Sequence, residues 1–247
     1  MNHQLQQLLE KSVKIDTSIF NEVSACLVIA PHPDDESLGC GGLIANLRKS
    51  GIAVHVIFTT DGSMSHPNAQ NITAMGRTKM REQEAISALS ILGVEEQYIT
   101  FFRGQDSALP AIGEKGFEGF VAQLVGIIEL VQPGLVLVPY EFDPHRDHRA
   151  SWQITMAALE NYPDTAIWQY LIWLYTLGNS QDVEPLTTIP GGIQYLPVSK
   201  YRQQKKSAIA AHKSQLDLEI FEDPKGFYLK QEVLENFYGD KEYYIKY

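Results

Sequence analysis

Residues 25–42 read ACLVIAPHPDDESLGCGG, and the first six already constrain the architecture around them. ACLVIA is an unbroken apolar run, short for a helix and closed by a proline, which describes a strand buried on both faces. Strands of that kind belong to parallel sheets covered by helices. The chain leaves this one through Pro31, His32, Pro33, Asp34, Asp35 and Glu36. Three carboxylates in a row beside a core strand repel one another, and burying them is costly unless a cation or a bound substrate offsets the charge.

Further strand candidates follow at AVHVIFTT (53–60), QYITFF (97–102) and LVLVPY (135–140). Between them, GGLIANLRKSG, AMGRTKMREQEAISALSILG and FEGFVAQLVGIIELV carry apolar residues at three- and four-residue spacing, the period of a helix with one buried face. Gly51, Gly93 and Gly134 mark helix ends, the third reinforced by Pro133. This alternation predicts an α/β fold, a Rossmann-like three-layer α/β/α arrangement around a mostly parallel twisted sheet. After residue 148 a helix to about 161, an aromatic strand WQYLIWLYTL (168–177), a strand IQYLPVS (193–199) and a helix from about 200 to 216 are expected. No repeat, low-complexity tract or linker interrupts the chain. Residues 1–247 therefore read as a single domain, with a core over about 24–161 and a sheet-completing, substrate-shaping part over about 162–247.

The composition narrows the class. Apolar residues make up 44% and charged residues 20% of the 247, ordinary for a globular protein with a full core. A net charge of −10 argues against a nucleic-acid partner but leaves small anionic ligands open. The two cysteines, Cys26 and Cys40, form neither a C-x-x-C pair nor a disulfide framework, so a reducing, cytoplasmic setting is expected. MNHQLQQLLEKSVK reads as a short amphipathic helix rather than a signal peptide. The apolar stretch AIWQYLIWLYTLG (166–178) is too short for a membrane span and is broken by Gln169, so no transmembrane segment is expected.

In open α/β sheets, ligands bind outside the carboxyl ends of the strands. Three polar clusters fall there: PHPDDE (31–36), TDGSMSHPN (60–68) and EFDPHRDH (141–148). The first offers His32 and Asp35, the third His145, Asp147 and His148. Imidazole nitrogen with carboxylate oxygen suits Zn²⁺ or Fe²⁺, and a catalytic site needs three such donors with one position left for water. Turn and cap roles compete for the same residues, since Asp34, Asp35, Glu36 and Ser37 all precede or open a helix. A dinucleotide reading of GCGGLI fails: G-x-G-x-x-G started at Gly39 requires glycine where Ile44 stands.

APHPDDESLGCGG resembles the A-H-P-D-D-E signature of the LmbE-like, or PIG-L, N-deacetylases, and DPHRDHRAS resembles their second signature, H-x-D-H followed by a small residue. TTDG (59–62), REQEAISALSILGV (81–94), GQDSAL (104–109) and HKSQ (212–215) fall in the family's order as well. The resemblance implies a zinc-dependent hydrolase that removes acyl groups from N-acylated amino sugars or glycosides. By position it makes His32, Asp35 and His148 the metal ligands and Asp34 the general base. It makes His145 the residue that steadies the oxyanion or protonates the leaving amine, and Asp147 the carboxylate that orients an imidazole. These residue types suit amide hydrolysis. Zinc lowers the pKa of a coordinated water to about 7, and a carboxylate outside the coordination sphere can take its proton.

Other assignments are looser. Arg81, in an R-x-x-E pattern with Glu84, is expected either to reach substrate or to pair with Glu84; Asp106 is a candidate hydroxyl acceptor. Some relatives carry a tyrosine where this chain has Asp143, so Asp143 is expected to bind a sugar hydroxyl or to turn the loop with Pro144. His212, Ser214 and Gln215 are expected in the shell around the site, Cys40 as a buried small residue, and residues 178–198 as a rim shaping the substrate. A nucleotide-binding module and a metallophosphoesterase are the rival functions for the same sheet edge. The expected partner is a small N-acylated sugar or glycoside, and homo-oligomerisation is compatible with it.

Overall fold

The computed structural model describes residues 2–247. In chain order its regular elements are α1 (His3–Glu10), β1 (Val13–Lys14), β2 (Ala25–Ala30), α2 (Asp35–Lys49), β3 (Ala53–Thr60), α3 (Ala74–Leu92), β4 (Ile99–Gly104), α4 (Phe117–Val131), β5 (Leu135–Pro139), α5 (Arg146–Ala158), β6 (Ala166–Tyr170), α6 (Ser180–Val183), β7 (Gln194–Pro197), α7 (Arg202–Ile209), α8 (Gln231–Leu234) and β8 (Lys241–Lys246). The strands form one sheet in the order β1-β7-β8-β6-β5-β2-β3-β4. All neighbours pair in parallel except β8, which runs antiparallel to both β6 and β7.

Strand β2 shows why the apolar run needs no alternation. Cys26, Val28 and Ala30 enter the core beneath α2, α3 and α7, whereas Leu27 and Ile29 enter the core beneath α4 and α5. Both faces are covered, so every side chain of the strand must be apolar. From β2 the chain moves outward to β3 and β4, then returns to place β5 on the other side of β2. The β2/β5 junction is therefore the point where the order reverses, and a crevice opens beyond the carboxyl ends of these two strands. Helices α2 and α5 both start at that crevice.

Several boundaries differ from those read off the sequence. The aromatic run expected as one strand over 168–177 leaves the sheet at Tyr170, and Trp173–Tyr175 form a 3₁₀ turn. Helix α4 ends on Gln132, whose φ of +48° makes the left-handed cap expected nearer Gly134. The last long helix stops at Ile209, and Lys213–Gln215 form a separate 3₁₀ turn. Two glycines of α2 let the helix approach its neighbours closely: a Cβ at Gly39 would collide with the Tyr170 ring, and one at Gly42 with the Val198 side chain.

A buried charge pair ties the C-terminal strand to α2. Glu242 of β8 accepts from the mid-helix amides of Gly42 (2.6 Å) and Leu43 (2.9 Å) and from Lys205 Nζ (2.7 Å). Removing one partner of such a pair strands the other charge, at a cost of about 3–5 kcal/mol. Glu242→Ala is accordingly expected to lower the unfolding free energy by about that amount, read from the shift of a urea transition; a change under about 1 kcal/mol would show that Lys205 and the helix find other partners.

Candidate active site

The first polar cluster begins directly after β2. Asp34 adopts φ +137°, a conformation that is strained for a residue with a side chain. Its geometry is held from two sides. Glu36 Oε2 accepts from the Asp34 amide at 2.9 Å, and Glu36 Oε1 is held in turn by Ser37 Oγ (2.6 Å) and His212 Nε2 (2.9 Å). Arg81, buried on α3, donates to the carbonyls of Pro33 (2.7 Å) and Gly62 (2.9 Å) and to Asp34 Oδ2 (3.3 Å). No Arg81–Glu84 pair forms; Glu84 accepts instead from the amide and hydroxyl of Ser214. Thus His212 braces the site through Glu36, while Ser214 is tied to Glu84 on α3.

Asp35 opens α2 and His148 lies in the first turn of α5, so two helix N-termini, favourable places for carboxylates, face the same point. Asp35 Oδ2 stands 3.2 Å from His32 Nδ1 and 3.3 Å from His148 Nε2. Donors around a tetrahedral ion with bonds of about 2.1 Å are separated by about 3.4 Å. His148 Nε2 is buried and makes no hydrogen bond, although the Asp35 oxygen is within reach. The Asp35 oxygen thus stands between the two imidazoles, at ligand–ligand distance from each. Burial works against a charged imidazole at His148, yet Asp35 and Asp143 outweigh it and raise its pKa to about 9. Burial likewise opposes ionisation of Asp35, but His148 and His32 hold its carboxyl far below the usual range. The local field calls for positive charge, and the donor set fits a divalent ion.

The far sides of the imidazoles are fixed by carboxylates. His32 Nε2 lies 3.3 Å from Asp147 Oδ2 and 3.4 Å from Asp106 Oδ1. Asp147 also accepts from the amides of Ser107 (2.7 Å) and Leu109 (3.1 Å), and Asp106 Oδ2 accepts from the Met64 amide (2.8 Å). Donor atoms mutually within 4.8 Å of one another come from His32, His145 and His148 and from His32, Asp106 and Asp147. Asp106 and Asp147 meet His32 at Nε2, which leaves Nδ1 facing Asp35, whose Oδ2 also accepts from the His32 amide (2.9 Å).

Asp143 is placed differently from the expectation that it meets a sugar hydroxyl. It is fully buried, its Oδ1 accepts from the His145 amide (2.9 Å) and lies 3.3 Å from His148 Nδ1, and its Oδ2 accepts from the Trp173 amide (3.0 Å). With both oxygens committed it holds the loop and the His148 ring, and it stands outside the cavity lining.

His145, at the N-cap of α5, accepts from the Asp147 amide through Nδ1 at 3.2 Å. That bond leaves the neutral ring with its proton on Nε2, a hydrogen-bond donor. Burial and the neighbouring His32 and His148 lower its pKa to about 4, which favours the neutral ring. Burial, only partly offset by Arg81 and added to by Asp35, raises the Asp34 pKa to about 7.

His32, Asp34, Asp35, Arg81, Asp106 and His145 line a cavity of about 200 Å³ together with Met64, Ser65, Ser107, Trp173 and Phe227, while His148 and Asp147 stay buried behind it. Among the described residues, none of 178–198 lines it, so that segment is not its rim. Its Val183, Leu186 and Ile193 instead share the core with Leu5 and Leu9 of α1. The true wall was hidden in the sequence: Trp173 sat inside an apparent strand, and Phe227 in a stretch without periodicity.

A family profile described as GlcNAc-PI de-N-acetylase, PIG-L, matches residues 27–159, just over half of the chain. Among curated proteins, the diacetylchitobiose deacetylase of Thermococcus kodakarensis is 35% identical over 142 residues, 55% of this chain and 50% of that protein. The chain thus spans half the length of that relative. A probable N-acetyl-α-D-glucosaminyl L-malate deacetylase 2 of Bacillus cereus is 25% identical, covering 77% of this chain and 83% of its own. The solved structure of N,N′-diacetylchitobiose deacetylase from Pyrococcus horikoshii superposes with a TM-score of 0.69 at 22% identity, over 98% of this chain and 90% of that one, which establishes the shared fold.

Proposed function

The chain belongs to the PIG-L (GlcNAc-PI de-N-acetylase) family, and on that premise we propose that it is a metal-dependent N-deacetylase, removing the acetyl group from an N-acetylated amino sugar or its glycoside. The observation that carries the reading is the placement of Asp35 Oδ2 at 3.2 Å from His32 Nδ1 and 3.3 Å from His148 Nε2, next to a cavity lined by Asp34 and His145. Those three residues would hold the ion, Zn²⁺ or Fe²⁺. When bound, it supplies positive charge that polarises the amide carbonyl and eases deprotonation of the attacking water.

The remaining steps fall to the chain's own side chains. Asp34 lines the cavity and takes the proton of the attacking water. Glu36 and Arg81 keep it aimed, which removes a reorientation cost from each turnover. His145 donates its Nε2 proton as a hydrogen bond to the carbonyl oxygen that gains negative charge. The proton held by Asp34 then passes to the departing nitrogen, so the carbon–nitrogen bond breaks to give acetate and a free amine. Asp147 and Asp106 support His32, and Asp143 supports His148.

The part over about 162–247 belongs to the same proposal, because it closes the sheet with β6, β7 and β8 and contributes Trp173 and Phe227 to the cavity. No helix of the described residues is long and apolar enough to cross a membrane. A cytoplasmic setting is supported by two buried, unpaired cysteines.

A panel of N-acetylated amino sugars and glycosides, incubated with zinc- or iron-loaded protein while acetate and free amine are measured, tests the reading. Stoichiometric release of both from at least one member is the expected result. Phosphate release from phosphorylated sugars, or nucleotide binding with no amide hydrolysis, would replace the proposal with one of its rivals.

A further inference from the structure

Each of the three consecutive carboxylates 34–36 has a cationic neighbour, and two of those pairings lie at the cavity. Asp35 faces two imidazoles, and Asp34 faces Arg81. Glu36 is fully buried, does not line the cavity, and lies 2.9 Å from His212 Nε2. Burial works against a charged imidazole at His212, yet Glu36, Asp34 and Glu84 outweigh it and raise its pKa. The other ring nitrogen, Nδ1, is buried without a hydrogen bond. An apolar side chain would fill the same space without that cost, so packing alone does not account for a histidine here. What the ring contributes is Nε2.

That nitrogen and Ser37 Oγ both meet Glu36 Oε1, which leaves Oε2 for the Asp34 amide at 2.9 Å. Among the described residues this is the only hydrogen bond the Asp34 amide makes. It acts on a backbone whose φ of +137° is held only while its surroundings enforce it. His212 is placed independently of Glu36. It follows α7, which packs on α2 and α3, and the next turn is tied down twice. Ser214 meets Glu84 through its amide (2.8 Å) and hydroxyl (2.6 Å), and the Gln215 carbonyl accepts from the Leu229 amide (2.8 Å). A fixed imidazole thus orients a carboxylate, and the carboxylate orients a strained backbone. Without the imidazole, Glu36 is a buried carboxylate short of its cation, and it turns to other donors at the expense of the Asp34 amide.

We propose that His212 is a positioning residue for amide hydrolysis, acting through Glu36 to hold Asp34 in the backbone conformation that aims its carboxylate into the cavity. This rests on the deacetylase reading and adds to it a residue of the C-terminal part that touches neither substrate nor metal.

The test uses metal-loaded, full-length protein and the N-acetylated amino sugar it turns over best. His212→Leu is expected to lower kcat by about 10–100-fold. KM should stay within about 2-fold of wild type, and metal content after dialysis should be unchanged. His212→Gln, whose amide can donate from the place of Nε2, should recover part of that loss. In an Asp34→Asn background the leucine substitution should cost less than about 2-fold, because the group it positions is already gone. Wild-type kcat in His212→Leu, no recovery in His212→Gln, an undiminished loss beside Asp34→Asn, or metal lost in step with activity would each overturn the proposal. If His212→Leu does not fold, His212→Asn takes its place in every arm, since its amide is too short to reach Glu36. Should wild-type protein release acetate from no N-acetylated sugar, the deacetylase reading fails by itself, and crystal structures of wild type and variant decide the positioning. Asp34 moved from its positive φ in the variant supports it; Asp34 unmoved overturns it.

Discussion

His32→Ala, Asp35→Ala and His148→Ala each yield a folded protein whose divalent-metal affinity has fallen by more than about 100-fold, beyond the 10–100-fold typical of losing a residue that merely supports a ligand. Each substitution removes one of three donors whose atoms lie 3.2–3.3 Å from the shared Asp35 oxygen or are that oxygen. Two donors leave the ion more open to water and to competing chelators, so it dissociates during dialysis. Metal content measured by elemental analysis after dialysis, with circular dichroism as the fold control, reads the effect. Asp143→Asn provides the graded comparison, because Asp143 faces the outer nitrogen of His148 rather than the nitrogen beside Asp35. Wild-type metal content in all three alanine variants would refute the assignment of the ligands.

Asp34→Asn separates the base from the ligands next to it. Turnover is expected to fall by about 10²–10⁴-fold, the usual contribution of a positioned acid–base group, while metal content stays near the wild-type value. Asparagine keeps the shape, and its amide oxygen can retain the Arg81 contact now made by Asp34 Oδ2. It cannot accept a proton at neutral pH. The loss should therefore appear in kcat with little change in KM, the pattern of an interaction used only in the transition state. Loss of metal as severe as that of Asp35→Ala would mean that the neighbouring aspartates have exchanged roles. Near wild-type turnover would remove Asp34 from the reaction altogether.

The central part of the fold was legible because each of its elements obeys a local rule. ACLVIA and LVLVPY are buried on both faces and so are uniformly apolar, and Gly93 takes the left-handed conformation that ends α3. The periphery was not legible in the same way. Strand β1 is two residues long and exposed, and β8, with Glu242 facing the core, is charged at a position that normally argues against burial. Its carboxylate is tolerated because Lys205 and two helix amides from distant parts of the chain surround it. No local pattern can announce such a partnership.

The same division runs through the site. The sequence alone determined the chemical inventory: imidazoles and carboxylates at the ends of two buried strands, of the types a hydrolytic metal centre uses. It could do so because strand and helix periodicity are local, and because parallel sheets bring their carboxyl ends to one edge. The tertiary structure alone decided which atom faces which. It turned Asp143 from the cavity toward His148, joined Glu36 to His212 across 176 residues, and set Trp173 and Phe227 at the wall in place of residues 178–198. Those outcomes depend on side-chain direction and on packing between segments remote in sequence, where a hydrogen bond of about 3 Å is won or lost by a rotation that composition and spacing do not encode.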